Sequence, residues 1–359
     1  MYQRIKWVHY LGKYINYIVI RVGFRYRFTA QLILELAKGI PIINPFLKLK
    51  VVIIQLINND MAFRKLLPKK VTLIEVGPRD GFQAEKKIIP IDLKLEIISM
   101  LVDAGLRRIQ VSSFVNPNMI PQMSDAEKII KSLPQRNDVI FSGLALNIKG
   151  VLRAINTGLK NIDISISVSN THSQKNTGMS LENGRQELRK MINLAKQNNM
   201  KIVAQIQCSF GCAYEGNIDS EIITEISKEL FDSQIDMLTL CDTTGMGNPI
   251  KIRKIIDKVK RISHGIPIGL HLHDTRGMGL VNLFAAIEMG ISYFDTSMGG
   301  MGGCPFIFNA SGNISTEDTV NMLESMNIVT GININKVARC SRLMEDYLGK
   351  KFEGKLHRL

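Results

Sequence analysis

The segment Ile266-Pro267-Ile268-Gly269-Leu270-His271-Leu272-His273-Asp274-Thr275 decides the fold. Its apolar start, Ile266 to Leu270, reads as a short strand, Thr275 to Gly279 (Thr-Arg-Gly-Met-Gly) breaks it, and Leu280–Met289 reads as a helix. Side chains alternate faces along a strand, so His271 and His273 point one way and Leu272 the other. Two imidazoles on one face, two residues' rise apart, can grip one metal ion. The plainer alternative is a histidine pair on a solvated strand end. Standing at the C-terminal end of a strand, before a βα loop, the pair occupies the place where α/β enzymes keep their chemistry.

The same unit repeats in both directions. Expected strands are Val71–Val76, Arg108–Ser113, Val139–Leu146, Asn161–Val168, Lys201–Cys208, Asp236–Cys241, Pro267–His273 and Tyr293–Ser297. Helices are expected at Asp92–Ala104, Asp125–Leu133, Lys149–Thr157, Leu181–Asn199, Ser220–Ser233, Pro249–Ile262, Leu280–Met289, Glu317–Met326 and Ile334–Leu348. Eight strands, each followed by a helix, predict an α/β fold of the (β/α)8 TIM-barrel type with a short C-terminal helical extension. An open doubly wound sheet is the alternative. Its first turn would usually carry G-x-G-x-x-G, whereas this one reads Gly77-Pro78-Arg79-Asp80-Gly81.

The net charge of +14 is uneven. Residues 1–70 hold 13 Lys and Arg against 2 acids, leaving 33 basic and 30 acidic residues in the remainder. A nearly neutral body without a basic helix argues against nucleic acid as a partner. The first segment has no serine before Ser99 and no signal-peptide pattern. Its apolar runs, Tyr17–Val22 and Val51–Ile57, are too short to span a bilayer. An interfacial amphipathic helix is one reading of it. Another is that it is not natural coding sequence and that Met61 is an ordinary start. The chain thus divides into a basic apolar extension (1–60), a barrel with C-terminal helices (61–348) and a tail (349–359). Five cysteines in a chain of 359 residues give no disulfide framework, which fits a reducing compartment.

In a barrel, functional groups gather at the C-terminal strand ends. Strand 1 ends in Glu75-Val76-Gly77-Pro78-Arg79-Asp80-Gly81-Phe82-Gln83, a carboxylate beside a guanidinium on a glycine-bracketed turn. Strand 2 carries Gln110-Val111-Ser112-Ser113, with Gln110 and Ser112 expected on one face. Strand 6 ends in Cys241-Asp242-Thr243-Thr244-Gly245, and strand 8 runs into Met298-Gly299-Gly300-Met301-Gly302-Gly303-Cys304-Pro305. No Lys-Ser/Thr follows these glycines, so they form no P-loop. They predict a flexible loop able to close over a site and carry the Cys304 thiol with it. Ser315 or Thr316, followed by acids, reads as a helix cap, and Asn313 offers a side-chain oxygen to a metal or to a turn.

These motifs together resemble the 3-hydroxy-3-methylglutaryl-CoA lyase family. The resemblance rests on residues 76–83, 113–117, 241–245, 271–275, 299–305 and 310–318, in order, and spans roughly Val71 to Gly331. His-Leu-His-Asp-Thr alone is shared more widely, with isopropylmalate and homocitrate synthases and pyruvate carboxyltransferase domains. The glycine-loop cysteine and the asparagine-containing run after it point to the lyase branch.

The resemblance implies a barrel holding Mg2+ or Mn2+ through Asp80, His271, His273 and Asn313, a ligand set that suits such ions. It implies retro-Claisen cleavage of an acyl-CoA substrate. Asp80 or His271 would take the hydroxyl proton, Arg79 would face the enolate oxygen, Cys304 would complete proton transfer and Asp242 would support the metal-bound groups. Gln83 and Gln110 join Arg79 as expected substrate contacts. One position departs from the pattern. Many such lyases carry Glu in Ile-Glu-x-Thr-Ser-Phe-Val, and this chain has Gln110, which hydrogen-bonds without titrating. The expected assembly is a homo-oligomer (dimer). The expected compartment is the cytoplasm, or the mitochondrial matrix if residues 1–60 are a transit segment. Two other readings are weighed: a condensing or carboxyl-transferring enzyme on the same scaffold, and a non-catalytic or membrane-tethered binding barrel. Synthases of that kind usually carry a long C-terminal region, and little chain follows Leu348.

Overall fold

The computed structural model describes residues 67–303 and 312–359. Eight parallel strands close into a barrel in sequence order: β1 Thr72–Glu75, β2 Arg108–Ser113, β3 Ile140–Ala145, β4 Asn161–Ser167, β5 Lys201–Gln207, β6 Met237–Cys241, β7 Ile268–His271 and β8 Tyr293–Thr296. The seam is β8 on β1, in register from Thr72↔Tyr293 to Glu75↔Thr296. Helices α1 Ile91–Asp103, α2 Ala126–Ser132, α3 Ile148–Asn156, α4 Asn170–Thr177, α5 Leu181–Gln197, α6 Ser220–Asp232, α7 Pro249–Arg261 and α8 Gly279–Glu288 connect the strands. Two more, α9 Thr316–Ser325 and α10 Ile334–Leu348, follow β8. Among the described residues no helix is long and apolar enough to cross a membrane. Cys208, Cys212, Cys241 and Cys340 are free and buried.

Several helices begin where the sequence supplies a side-chain cap. The side chains of Asn147, Ser180, Asn248 and Ser315 each accept from a backbone N–H in the first turn of the helix that follows. Each βα loop thus delivers a helix N-terminus to the rim where the strands end, and the positive ends of these dipoles ring the mouth. Helix α4 is absent from the expected elements. Its sequence, Asn-Thr-His-Ser-Gln-Lys-Asn-Thr, has no apolar period, but Ser169 caps it and Gly178 ends it in the left-handed conformation.

The strands show which face is core. On β4, Ile162, Ile164 and Ile166 are buried and alternate with Asp163, Ser165 and Ser167, which are buried too. A strand buried on both faces, apolar on one and polar on the other, implies an apolar layer under the helices and a polar barrel interior. At the end where the strands begin, Ile74, Val203 and Met237 cluster against Tyr293. The Arg108 guanidinium lies over that tyrosine ring, 5.7 Å from its centroid. Above this apolar floor the interior carries Gln110, Ser142, Asp163, Gln205 and Asp295.

One register detail corrects the expected pattern. Pairing of β2 with β3 shifts between Gln110 and Ser112, a bulge. Gln110 reaches Arg79 and Asp163, whereas the Ser112 hydroxyl contacts Met123 Sδ at 3.5 Å, on the 3-10 turn that follows β2. The two side chains therefore do not share a face. Ser113 turns to Gln83, donating to its Oε1 at 3.2 Å.

Candidate active site

The loop after β1 is wound as a five-residue π-helix, Gly77–Gly81, with Pro78 at its start. Such turns are rare, and frequent at functional sites. Here it puts Arg79 and Asp80 side by side. The Arg79 guanidinium is buried, and it donates through Nη1 to Asp80 Oδ1 and through Nε to Gln110 Oε1. Glycine is required before this pair, because a Cβ on Gly77 would stand 2.6 Å from Glu75 Oε1.

Strand β7 ends at His271, and His273 lies beyond it, shorter than the expected strand. The chain keeps its strand-like course because residues 312–316 lie along it. Asp274 N donates to Gly312 O, Ile314 N to Leu272 O and Ser297 N to Ile314 O. This insertion continues the alternation past the strand end. The two rings meet, with Nε2 atoms 3.1 Å apart, as the spacing predicted. It also fixes Asn313 opposite His273.

Asp80, His271 and His273 offer ligand atoms within 4.8 Å of one another. Asn313 Nδ2 donates to Asp80 Oδ2 at 2.7 Å and to Met301 O at 3.0 Å. Its Oδ1 is buried without a protein hydrogen-bond partner among the described residues. A buried acceptor left unpaired costs about 1–3 kcal/mol, and a cation beside it removes that cost. The protonation states agree. Burial opposes the Asp80 carboxylate, but Arg79 and the two imidazoles prevail and pull it down to about 2. Burial, helped by His271, lowers His273 to about 4, leaving it neutral and able to donate a lone pair. Asp295, from β8, holds His271 Nδ1 at 3.1 Å and so turns Nε2 toward His273. Carboxylate, two imidazoles and an amide oxygen fit a divalent cation.

The described part of the glycine-rich run is Met298–Gly303, and its first residues are held by hydrogen bonds. Met298 N donates to Glu75 Oε1 and Gly299 N to Glu317 Oε2, each at 2.9 Å, from two fully buried carboxylates. Gly302 has φ +117, and a Cβ there would lie 2.5 Å from Asn313 Nδ2, so glycine lets the loop back onto the ligand group. Cys304 lies outside the described residues.

Asp242 is buried after β6 and accepts from Gly247 N at 2.9 Å, holding its own loop. Burial raises it to about 6. It stands apart from the converging ligand atoms, beside β7 through Asp242 N to His271 O. Asp295 and Asp163 are the site-side acids that the motifs did not flag; Glu75 stands at the head of the strand-1 motif. Asp163 and Asp295 are lone acids at inward strand positions, and that alternation is the signal by which they can be found.

Known proteins are similar to this chain in sequence and fold. The HMGL-like family model matches residues 70–344. Mouse mitochondrial hydroxymethylglutaryl-CoA lyase is 35% identical over 293 residues, covering 81% of this chain and 89% of that protein. The rat cytoplasmic 3-hydroxy-3-methylglutaryl-CoA lyase is 37% identical, covering 76% of this chain and 79% of that protein. Among solved structures, the Bacillus subtilis HMG-CoA lyase superposes with TM-score 0.79 at 36% identity, covering 81% of this chain and 98% of that chain. An HMG-CoA lyase from Acinetobacter baumannii, in complex with coenzyme A and 3-methylmalate, gives TM-score 0.77 at 35% identity, covering 81% and 95%. This barrel, with its candidate ligand histidines at the end of β7 and matched over most of its length by these lyases, belongs to the HMGL-like family.

Proposed function

We propose that this chain is a divalent-metal-dependent carbon–carbon lyase that cleaves 3-hydroxy-3-methylglutaryl-CoA to acetyl-CoA and acetoacetate. One observation carries the reading: Asp80, His271, His273 and Asn313 converge at the barrel mouth, beside the buried Arg79. Their donor chemistry suits Mg2+ or Mn2+. When bound, the ion acts as a Lewis acid and lowers the pKa of the substrate's tertiary hydroxyl.

The protein groups divide the remaining work. His271 and His273 turn Nε2 to each other, and both would hold the ion when it is bound. Asp80 or His271, which lie together at the mouth, would take the hydroxyl proton. Loss of that proton drives the C3 oxygen to a carbonyl as the C2–C3 bond breaks. Acetoacetate leaves, and the bond's electron pair goes to the acetyl-CoA enolate. Arg79, a permanent cation held in one plane by Asp80 and Gln110, faces the enolate oxygen. Cys304 delivers the proton that the enolate carbon needs. Gln83 lines the acyl end, tied to Ser113 at the close of β2. Asp242 keeps the β6 loop in place beside the ligand group. Four buried free thiols suit the reducing cytoplasm, to which we assign the activity, with a homodimer as the working form.

The test is product analysis. Purified full chain with Mg2+ or Mn2+ is expected to release acetoacetate and acetyl-CoA in equal amounts, to stop with a chelator and to resume when metal is returned. A metal-loaded protein that condenses or transfers carboxyl groups, and cleaves nothing, would replace the lyase with the synthase reading.

A further inference from the structure

Beneath the ligand group, a chain of hydrogen bonds runs down the barrel interior. Arg79 Nε donates to Gln110 Oε1, Gln110 Nε2 donates to Asp163 Oδ2 at 2.6 Å, and Ser142 Oγ donates to the same oxygen at 2.6 Å. Gln110, Ser142 and Asp163 line a small interior cavity together with Arg108, Ile140 and Asn161, the residues that open β2, β3 and β4. Asp163 therefore lies well below the mouth, toward the end where the strands begin.

The direction of this chain is fixed by chemistry. A guanidinium only donates, so the amide oxygen must face Arg79. The amide nitrogen then faces Asp163, and an ionised carboxylate only accepts. Burial raises Asp163 to about 6, while the donors Ser142 and Gln110 and the Arg79 charge pull the other way and favour the carboxylate. A carboxylate at the nitrogen end of an amide polarises it and makes its oxygen a stronger acceptor. Arg79 is buried, and its direct anion, Asp80, is also a member of the ligand group. A second anion that does not touch the ion steadies the guanidinium in a way that the proton and ion traffic at Asp80 leaves unchanged.

We propose that Asp163 is a positioning residue for the cleavage, its carboxylate acting through Gln110 as the second counter-charge of Arg79. The proposal rests on the lyase reading above for what Arg79 does in turnover, but not for the hydrogen-bond chain itself. It explains how a barrel with an amide at position 110 keeps a negative charge in reach of the guanidinium. That charge stands one residue further off, on β4 instead of β2.

Three variants of the full chain test it: Asp163→Asn, Gln110→Glu and Gln110→Glu/Asp163→Asn. Asp163→Asn keeps the shape and an accepting oxygen but removes the charge. It is expected to lower kcat about tenfold or more with KM within about twofold. Gln110→Glu sets two carboxylates in hydrogen-bond contact and is expected to lower kcat as well. The double variant moves the charge onto β2, against Arg79, and is expected to recover kcat to within about threefold of wild type. Recovery of this kind is a non-additivity that a merely structural role would not give.

Asp163→Asn within about twofold of wild-type kcat, or a double variant that multiplies the two single losses, would overturn the proposal. A readout without turnover separates it from the function reading. In arginine-labelled protein, the Nε–H proton signal of Arg79 is expected to move upfield in Asp163→Asn and to return in the double variant. If wild type cleaves nothing while this signal follows the charge, the lyase reading fails and the relay stands. If the signal ignores Asp163, the relay fails whatever the activity. Should Asp163→Asn not fold, Ser142→Ala removes one donor from the same carboxylate oxygen and must change both kcat and the Arg79 signal, or the relay is absent.

Discussion

Asn313 divides its amide between two tasks. Its nitrogen steadies Asp80 and Met301, and its oxygen has no protein partner among the described residues. Asn313→Ala removes both a ligand atom and the donor that aims the Asp80 carboxylate. The expected result is a Mn2+ affinity at least tenfold weaker by titration calorimetry, with the melting temperature of metal-free protein little changed, since an unpaired buried acceptor is lost at the same time. An unchanged affinity would remove Asn313 from the ligand set. The four candidate ligand residues could be picked out because each stands in a short polar motif at a strand end or loop. Asp163 and Asp295 could not, since each is a single acid inside an otherwise ordinary strand, Asn-Ile-Asp-Ile-Ser-Ile-Ser and Tyr-Phe-Asp-Thr. Only closing the barrel brings Asp163 to Gln110, 53 positions earlier, and Asp295 to His271, 24 positions earlier.

At the scale of elements, the feature that positions the site is the seam between β1, β8 and the start of α9. Glu75 Oε1 accepts from Gly77 N at 2.8 Å and from Met298 N, and its Oε2 accepts from Thr316 Oγ1 at 2.7 Å. One carboxylate thus joins the Arg79 loop, the glycine run and the α9 cap. Burial outweighs these hydrogen bonds and raises Glu75 to about 7, from an ordinary 4.5. A carboxyl with a folded pKa above its unfolded one binds a proton more readily when folded. Its ionisation therefore subtracts stability, a cost absent below pH about 4.5 and fully present above about 7. Each pH unit of separation is worth about 1.4 kcal/mol, so the whole effect is a few kcal/mol at most. Relative to Glu75→Gln, which cannot ionise, wild type is expected to lose stability as pH rises from 5 to 8. Melting curves of the two proteins that stay parallel across that range would show that Glu75 does not titrate there. The strands and most helices were legible from period and breakers. The β2 bulge was not, since nothing in Gln-Val-Ser-Ser distinguishes a bulged strand from a regular one, and α4 was hidden by its lack of an apolar face.

For the whole molecule, the barrel closes using only residues from Lys69 onward. Val329 N donates to Lys69 O and Val71 N to Val329 O, so the approach to β1 is tied to the segment between α9 and α10. The β8–β1 seam then completes the sheet, and the HMGL-like match itself begins at residue 70. Residues 1–70 differ from the body in charge, with 13 basic residues against 2 acids, and they contribute none of the candidate ligand, relay or loop-pinning side chains described above. Among the described residues the strands, the seam and the candidate ligand group all lie in this later part, and a domain with its own core can fold alone. Met61–Leu359 is therefore expected to fold, with a melting temperature within about 3 °C of the full chain, on the order of 1 kcal/mol for a protein of this size. Its Mn2+ affinity and lyase turnover should lie within about twofold of the full chain. Insolubility of the shortened protein, or loss of turnover at equal metal loading, would mean that the basic segment takes part in folding or in the site, and the division at residue 60 would have to be abandoned.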